Sequence, residues 1–131
     1  MHLRVEGPAA PDRVWERYAR FDQWPTWSPQ VRRVDVDVAV LAPGVEGVVH
    51  GPLGVAVAFR ITEVDVGART WSWTVHPVRP ALPGIVLVLD HAVRAEPDGG
   101  SSSTLDLSGP LPIVLAYGPV ALLALRRLVR S

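Results

Sequence analysis

Several short segments in the middle of the chain alternate between apolar and polar residues, and this period of two constrains the fold more than any other feature. In residues 33–40 every second residue is a valine, and most of the residues between the valines are charged. The same alternation recurs at 55–62, 70–76, the second half of 85–94, and 103–108. The pattern is typical of β-strands that bury one face. It predicts a chain rich in half-buried strands.

The connections between these segments are short and rich in glycine and proline, at 42–44, 51–52, 66–68, 83–84 and 97–100. Short connections join antiparallel neighbours, so we expect an antiparallel sheet of five or six strands. Such a sheet has one solvated face and one apolar face, and the apolar face must be covered by other elements.

Two helical segments can cover it. Residues 11 to about 20 carry an apolar stripe at spacings of three and four, formed by Val14, Trp15, Tyr18 and Phe21. The second segment, from about 112 to 130, is apolar nearly all round until Arg126, and a kink is expected near Pro119. A helix without a polar face is expected to be enclosed on most sides. The prediction is one α+β domain over residues 1–131.

Composition excludes several classes of protein. The chain has 13 Lys+Arg and 13 Asp+Glu, and this neutral balance argues against a nucleic-acid partner. With no cysteine there is no disulfide, thiolate zinc site or cysteine nucleophile. No spacing of histidines and carboxylates suggests a metal, and we expect no cofactor. The first residues lack a secretory apolar stretch, which favours the cytoplasm.

The chain resembles a known family at two motifs near its N-terminus. The run Ala10-Pro11-Asp12-Arg13-Val14-Trp15-Glu16 and the run Phe21-Asp22-Gln23-Trp24-Pro25-Thr26-Trp27-Ser28-Pro29 are similar to the opening of SRPBCC (START-like) domains, in the polyketide cyclase/dehydrase and lipid-transport group. Weaker matches follow at 59–64, 71–73, 90–91 and 97–100, and in the closing helix.

The resemblance implies the helix-grip fold, an antiparallel sheet wrapped around the C-terminal helix with an apolar cavity between them. Members of this family bind lipids, hormones or quinones, or cyclise polyketides, so the fold alone does not determine the activity. On the inward face we predict a cavity wall formed by Phe59, Ile61, Trp71, Trp73, Leu87, Leu89, His91, Leu105 and Leu122.

Three aromatic residues of this wall, Phe59, Trp71 and Trp73, either stack on a flat ligand or pack as ordinary core. The resemblance implies that Trp24 and Trp27 lie at the cavity mouth, where they gate entry or brace the turn, and bracing is the favoured interpretation. Charged residues that alternate with the inward-facing positions are expected on the solvated face: Asp35, Asp37, Arg60, Asp90 and Arg94.

His91 is the candidate for a chemical role. It is separated from Leu89 and from Val93 by one residue each, so the alternation places its side chain on the same inward face. It is a general acid/base or a hydrogen-bond partner for a ligand, or a core histidine bonded to a neighbouring element. The core interpretation is favoured, since buried polar groups normally find partners.

Three functions remain open. The leading hypothesis is non-catalytic binding or transport of a small hydrophobic molecule: a lipid, quinone, isoprenoid or polyketide. The alternative is a polyketide cyclase or aromatase that uses His91 as acid/base. The third is association with a membrane surface through residues 111–130, where Arg126, Arg127 and Arg130 would meet anionic headgroups. The oligomeric state is left open.

Overall fold

The computed structural model describes residues 1–131 and shows one seven-stranded sheet covered by helices on one face. The strands lie in the order β1-β7-β6-β5-β4-β3-β2, and every neighbouring pair is antiparallel. In chain order the elements are β1 (His2–Gly7), α1 (Pro11–Ala19), α2 (Trp24–Trp27), β2 (Arg33–Val36), β3 (Glu46–His50), β4 (Ala56–Asp65), β5 (Thr70–Arg79), β6 (Leu87–Ala95), β7 (Ser101–Ser108) and α3 (Leu111–Leu128). The α+β prediction is confirmed.

The first strand lies at one edge of the sheet, beside the last strand. Strand β1 pairs with β7 from His2 opposite Asp106 to Gly7 opposite Ser101. Helix α3 follows β7 and packs against β1, β7 and α2. The end of the helix is tied to the start of the chain, since the amide of Ala9 donates to the carbonyl of Val129 at 3.1 Å. The helix is thereby held over the apolar face of the sheet.

Strand β2 is shorter than the alternation in 33–40 predicts. It ends at Val36, and Val38 and Val40 are exposed. After β2 the backbone pairs with the end of α1 instead of the sheet: Phe21 donates to the carbonyl of Ala39, and Leu41 donates to that of Ala19. The period of two is present there, but no neighbouring strand continues beside it.

Strand β3 was missed because its sequence, Glu46–His50, contains a glycine and two adjacent valines and does not alternate. Gly47 is required at this position. A Cβ there would lie 2.7 Å from the ring of Phe59 and 2.6 Å from the carbonyl oxygen of Asp35. The absence of a side chain at Gly47 therefore leaves room for the Phe59 ring on β4.

Strand β4 contains two register shifts against β5, between Ala56 and Val57 and between Ile61 and Glu63. The alternation in 55–62 predicts Ala56 on the solvated face together with Arg60, but Ala56 is completely buried. The extra residue at the first shift is Val78 on β5, so this shift does not change the face of β4 to which Ala56 points.

Helix α3 is continuous from Leu111 to Leu128 and includes Pro119, which has no N–H to donate to the carbonyl four residues earlier. Only 33% of this segment is buried, although its mean hydropathy of 1.5 and its length would suffice to cross a membrane. Leu111, Leu115 and Leu123 are exposed. The expectation that the helix is enclosed on most sides is therefore wrong, because only one layer of structure covers it.

Candidate functional site

A cavity of about 410 Å³ lies between the sheet and helices α2 and α3. Nineteen of its 25 lining residues are hydrophobic. The lining comes from strands β3 to β7, from helices α2 and α3, and from the loops that follow α2, β3 and β5. The volume falls within the range of about 300–1,000 Å³ that is usual for small-molecule sites. The apolar face of the sheet and the helix therefore enclose a ligand-sized space.

Six of the nine residues that the sequence assigned to the wall line this cavity. They are Trp71, Trp73, Leu87, Leu89, His91 and Leu105. They alternate along the central strands β5, β6 and β7, where the pairing is regular and parity is a sound guide to the inward face.

Phe59, Ile61 and Leu122 do not line it. Phe59 packs between Phe21 and Trp73, with ring centroids 5.8 and 5.7 Å away, so the aromatic cluster fills the space over that part of β4. Ile61 is completely buried in the same core. Leu122 lies two residues before Ala124, a cavity residue, and two residues are about half a helical turn. Its side chain therefore points away from the cavity.

The mouth of the cavity is not at Trp24 and Trp27. Both tryptophans line the cavity but are buried, and the exposed lining residues are Pro52, Val55 and Val120. The opening thus lies between the β3–β4 loop, the β5–β6 loop and α3. The indole of Trp24 donates to the carbonyl of Tyr18 at 2.9 Å, and that of Trp27 to the carbonyl of Arg17 at 3.0 Å. The two rings brace α1 against the segment that follows it.

His91 is held by side chains on two other elements, α1 and β5. The indole N–H of Trp73 donates to Nε2 at 3.0 Å, and Nδ1 lies 3.0 Å from the hydroxyl of Tyr18, which is 2.7 Å from Oγ of Ser103. Because Nε2 accepts, the neutral imidazole carries its proton on Nδ1. His91 then donates to Tyr18, and Tyr18 donates to Ser103. The ring is stacked on Trp71 at 4.4 Å.

Burial sets the protonation of this network. It lowers the pKa of His91 from 6.5 to about 3 and raises the pKa of the Tyr18 hydroxyl above its ordinary value. Both nitrogens of a neutral His91 are bonded within the protein, so the imidazole has neither a free donor nor a free acceptor for a ligand. This geometry favours the interpretation of His91 as a core histidine and weighs against a proton shuttle.

Two other polar residues on the wall, Gln30 and Tyr117, were not singled out from the sequence. Gln30 Nε2 donates to the Tyr117 hydroxyl at 3.1 Å, and Gln30 Oε1 is buried without a partner. Exchanging the two ends of the amide would leave the nitrogen unpaired instead. Burial raises the pKa of Tyr117, so its hydroxyl stays protonated. The available signal was that Tyr117 carries the one polar side chain in residues 111–125.

Ser28 is a further polar residue of the wall, and the charged residues lie outside the cavity. The charged residues assigned to the solvated face are exposed: Asp35, Asp37, Arg60, Asp90 and Arg94. No group of three or more His, Asp or Glu side chains is arranged to hold a metal ion. The cavity is therefore mostly apolar, and two residues of its wall have a buried polar atom without a partner: Gln30 Oε1 and Trp71 Nε1.

The same architecture is found in solved structures of low sequence identity. Ara h 8.0201 is 12% identical with a TM-score of 0.77, covering 98% of this chain and 93% of its own. A protein from Nitrosospira multiformis is 15% identical with a TM-score of 0.81, covering 98% and 92%. DynU16, from the dynemicin biosynthetic locus, is 17% identical with a TM-score of 0.78, covering 98% of this chain but only 45% of DynU16.

These likenesses establish the fold, an antiparallel sheet around a long C-terminal helix in the helix-grip architecture. No curated protein matches the sequence. The model of the family described as "Polyketide cyclase / dehydrase and lipid transport" matches residues 1–131. The match spans the whole chain, and the protein therefore belongs to the polyketide cyclase/dehydrase and lipid-transport family.

Proposed function

We propose that the protein binds a small, mostly apolar molecule in the cavity without converting it, as a carrier or sensor of a lipid, quinone, isoprenoid or polyketide. The observation that carries the proposal is the cavity of about 410 Å³ with 19 hydrophobic residues among its 25 lining residues. A family described by lipid transport as well as by cyclisation is consistent with this function.

The energy of binding would come from burial of apolar surface. Each buried CH₂ contributes about 0.8 kcal/mol, which is about a fourfold change in affinity. The wall needs few directed contacts for this, and much of it consists of indole rings that are themselves packed in place. Trp71 and Trp73, with centroids 5.3 Å apart, illustrate such a rigid lining.

Selectivity for a polar group on the ligand would come from Gln30 and Tyr117. A buried amide atom without a partner is unfavourable, and a ligand group that pairs with it recovers about 1–3 kcal/mol. A hydroxyl can donate or accept, so it suits the unpaired amide atom in either orientation. We therefore expect a ligand with a long apolar part and a hydroxyl at one end.

Catalysis has less support than binding. Ring closure of a polyketide requires a positioned acid or base. His91 is neutral, and both of its nitrogens are engaged by Trp73 and Tyr18. Among the side chains of the wall, no other histidine or carboxylate is present.

A series of 1-alkanols of increasing length tests the proposal. The dissociation constant is expected to fall about fourfold per added CH₂ until the chain fills the cavity, and then to stop falling. Four of the five tryptophans line the cavity, so intrinsic fluorescence reports the binding directly.

Two variants on α3 provide the matched comparison. Ala124→Phe places a ring into the cavity, whereas Ala116→Phe places the same ring on the exposed side of the helix. Ala124→Phe is expected to lower the affinity for the longest alkanols at least tenfold, and Ala116→Phe is expected to leave that affinity unchanged. Equal affinity in both variants, or no dependence on chain length, would show that the cavity is not the binding site.

A further inference from the structure

Exposed aliphatic side chains surround the mouth of the cavity. Leu53 lies in the β3–β4 loop, Leu82 and Val86 lie in the β5–β6 loop, and Leu111 and Leu115 lie in the first turns of α3, and all five are exposed. We call these five residues the rim. The loops are brought together at one end of the sheet, and a Cβ on Gly109 would lie 3.1 Å from the carbonyl oxygen of Val86.

Leu53 is the extreme member of the rim. Its side chain is completely exposed, at 102% relative accessibility, and its φ of +59° lies in the left-handed region that leucine rarely adopts. It contributes no packing to the core. An exposed leucine held in an uncommon backbone conformation points to a contact outside the chain.

Charge is distributed unevenly between the two ends of the molecule. The three segments that form the mouth, 51–55, 77–86 and 109–120, contain Arg79 and no carboxylate. The turns at the opposite end contain three carboxylates, Asp65, Glu96 and Asp98, and one arginine, Arg69. A surface of anionic groups would therefore be repelled less by the mouth segments than by the turns at the opposite end.

Arginines stand directly beside the rim. Arg32, Arg33 and Arg79 line a second hollow that shares Gly51 and Val55 with the cavity wall. Arg33 is paired with Asp35 at 3.4 Å, but Arg32 and Arg79 have no carboxylate partner. Guanidinium groups present a planar set of N–H donors that matches phosphate oxygens.

From this arrangement we infer that the rim docks onto an anionic phospholipid bilayer, with the leucines among the acyl chains and Arg32 and Arg79 at the headgroup phosphates. The inference rests on the proposed function, because the docked mouth would load the cavity directly from the hydrocarbon. It differs from the surface suggested by the sequence. Arg126 and Arg127 are in the last turn of α3, at the end opposite the mouth.

Vesicle sedimentation tests the docking. The probes are vesicles of phosphatidylcholine alone and of phosphatidylcholine with phosphatidylglycerol at a ratio of about 3:1. The protein is expected to bind the anionic vesicles more strongly, and the binding is expected to weaken as salt rises. Leu53→Glu is expected to lower the affinity at least tenfold, and Arg32→Gln with Arg79→Gln to bring it to the level of phosphatidylcholine alone.

Matched controls lie at the opposite end of the sheet. Val66→Glu replaces another exposed aliphatic residue, and Arg94→Gln replaces another exposed arginine, and neither is expected to change the binding. The docking is overturned if Leu53→Glu and Val66→Glu bind vesicles equally, or if phosphatidylglycerol has no effect. It is also overturned if the protein binds no vesicle but forms a dimer that Leu53→Glu dissociates.

Alkanol binding in solution separates this inference from the proposed function. Leu53→Glu is expected to keep the alkanol affinity of the unmodified protein, because Leu53 does not line the cavity. Alkanol binding without vesicle binding would refute the docking alone. Vesicle binding without alkanol binding would refute the proposed function and leave the docking surface standing.

Discussion

The four tryptophans of the cavity have different surroundings despite their common location. The indole N–H groups of Trp24 and Trp27 donate to backbone carbonyls, and that of Trp73 donates to His91. The indole N–H of Trp71 is buried without a partner. Three of the rings are thus held by their own hydrogen bonds, and stacking on His91 holds the fourth. Such a lining is preorganised for a ligand.

At the scale of single residues, Gln30 is the position where specificity is predicted. Gln30→Met keeps the length of the side chain and removes the amide. It is expected to weaken binding of a 1-alkanol about fivefold, which corresponds to one hydrogen bond of about 1 kcal/mol. A haloalkane of the same length is expected to bind equally to both proteins. Titration calorimetry measures both ligands.

Gln23→Met is the control for that substitution, since Gln23 lies outside the cavity. It is expected to leave both affinities unchanged. Equal losses for the alkanol and the haloalkane in Gln30→Met would mean that the amide shapes the wall and does not recognise a hydroxyl.

At the scale of elements, the C-terminal end of α3 is fastened to α1 by one side chain. The Arg17 guanidinium donates to the carbonyl oxygen of Leu128 at 2.6 Å and to that of Arg130. The last carbonyl groups of a helix have no backbone N–H partner within the helix, so the guanidinium supplies their hydrogen bonds. Its positive charge also interacts favourably with the negative C-terminal end of the helix dipole. Partial burial and the nearby charges of Arg13 and Arg130 lower the pKa of Arg17.

Arg17→Met is therefore expected to lower the free energy of unfolding by about 1.5–3 kcal/mol, the usual range for hydrogen bonds to a charged group. Arg13→Met on the same helix removes only an exposed ion pair with Glu16 at 3.8 Å and is expected to change it by less than about 0.5 kcal/mol. Urea denaturation measures both. Similar losses in the two variants would contradict a fastening role for Arg17.

Elements also differ in how well the sequence predicts them. Strands β5, β6 and β7 lie inside the sheet and pair regularly with one another, and six residues that the sequence assigns to the wall line the cavity there. The prediction fails at β2, which is an edge strand, and at β3, which has no alternation. Helix α1 begins at Pro11 as expected, because proline suits a first helical position.

At the scale of the whole molecule, the buried histidine links stability to pH. The pKa of His91 is about 3 in the folded protein and about 6.5 when the side chain is free in the unfolded chain. The unfolded state therefore binds more protons between these values. The stabilisation is complete above about pH 6.5 and is lost as the pH falls, by at most about 1.4 kcal/mol per pH unit.

Urea denaturation at pH 7, 6 and 5 checks this expectation. His91→Gln keeps a polar side chain beside Trp73 and Tyr18 but does not titrate, so its free energy of unfolding is expected to fall less steeply over this range. The other histidines are common to both proteins, and the difference between the two slopes isolates His91. Asp35, whose pKa is lowered by hydrogen bonds from His50 and Arg33, affects stability only at lower pH. Identical slopes would refute the linkage.

The sequence by itself determined that strands β4 to β7 form, which side of β5, β6 and β7 is apolar, and that a long apolar helix follows them. These are local properties, because a period of two or a proline at a helix start acts through neighbouring residues. The motifs around Trp15 and Trp24 were sufficient to indicate the helix-grip family.

Only the tertiary structure decided where the empty space lies. A cavity is the volume left over after the elements pack, so it depends on distances between residues far apart in the chain. Phe59 and Leu89 have the same inward parity, but aromatic rings cover Phe59 while Leu89 faces the gap beneath α3. The pairing of Gln30 with Tyr117, and the gathering of Leu53 and Leu111 at one end, likewise arise only when the sheet brings distant segments together.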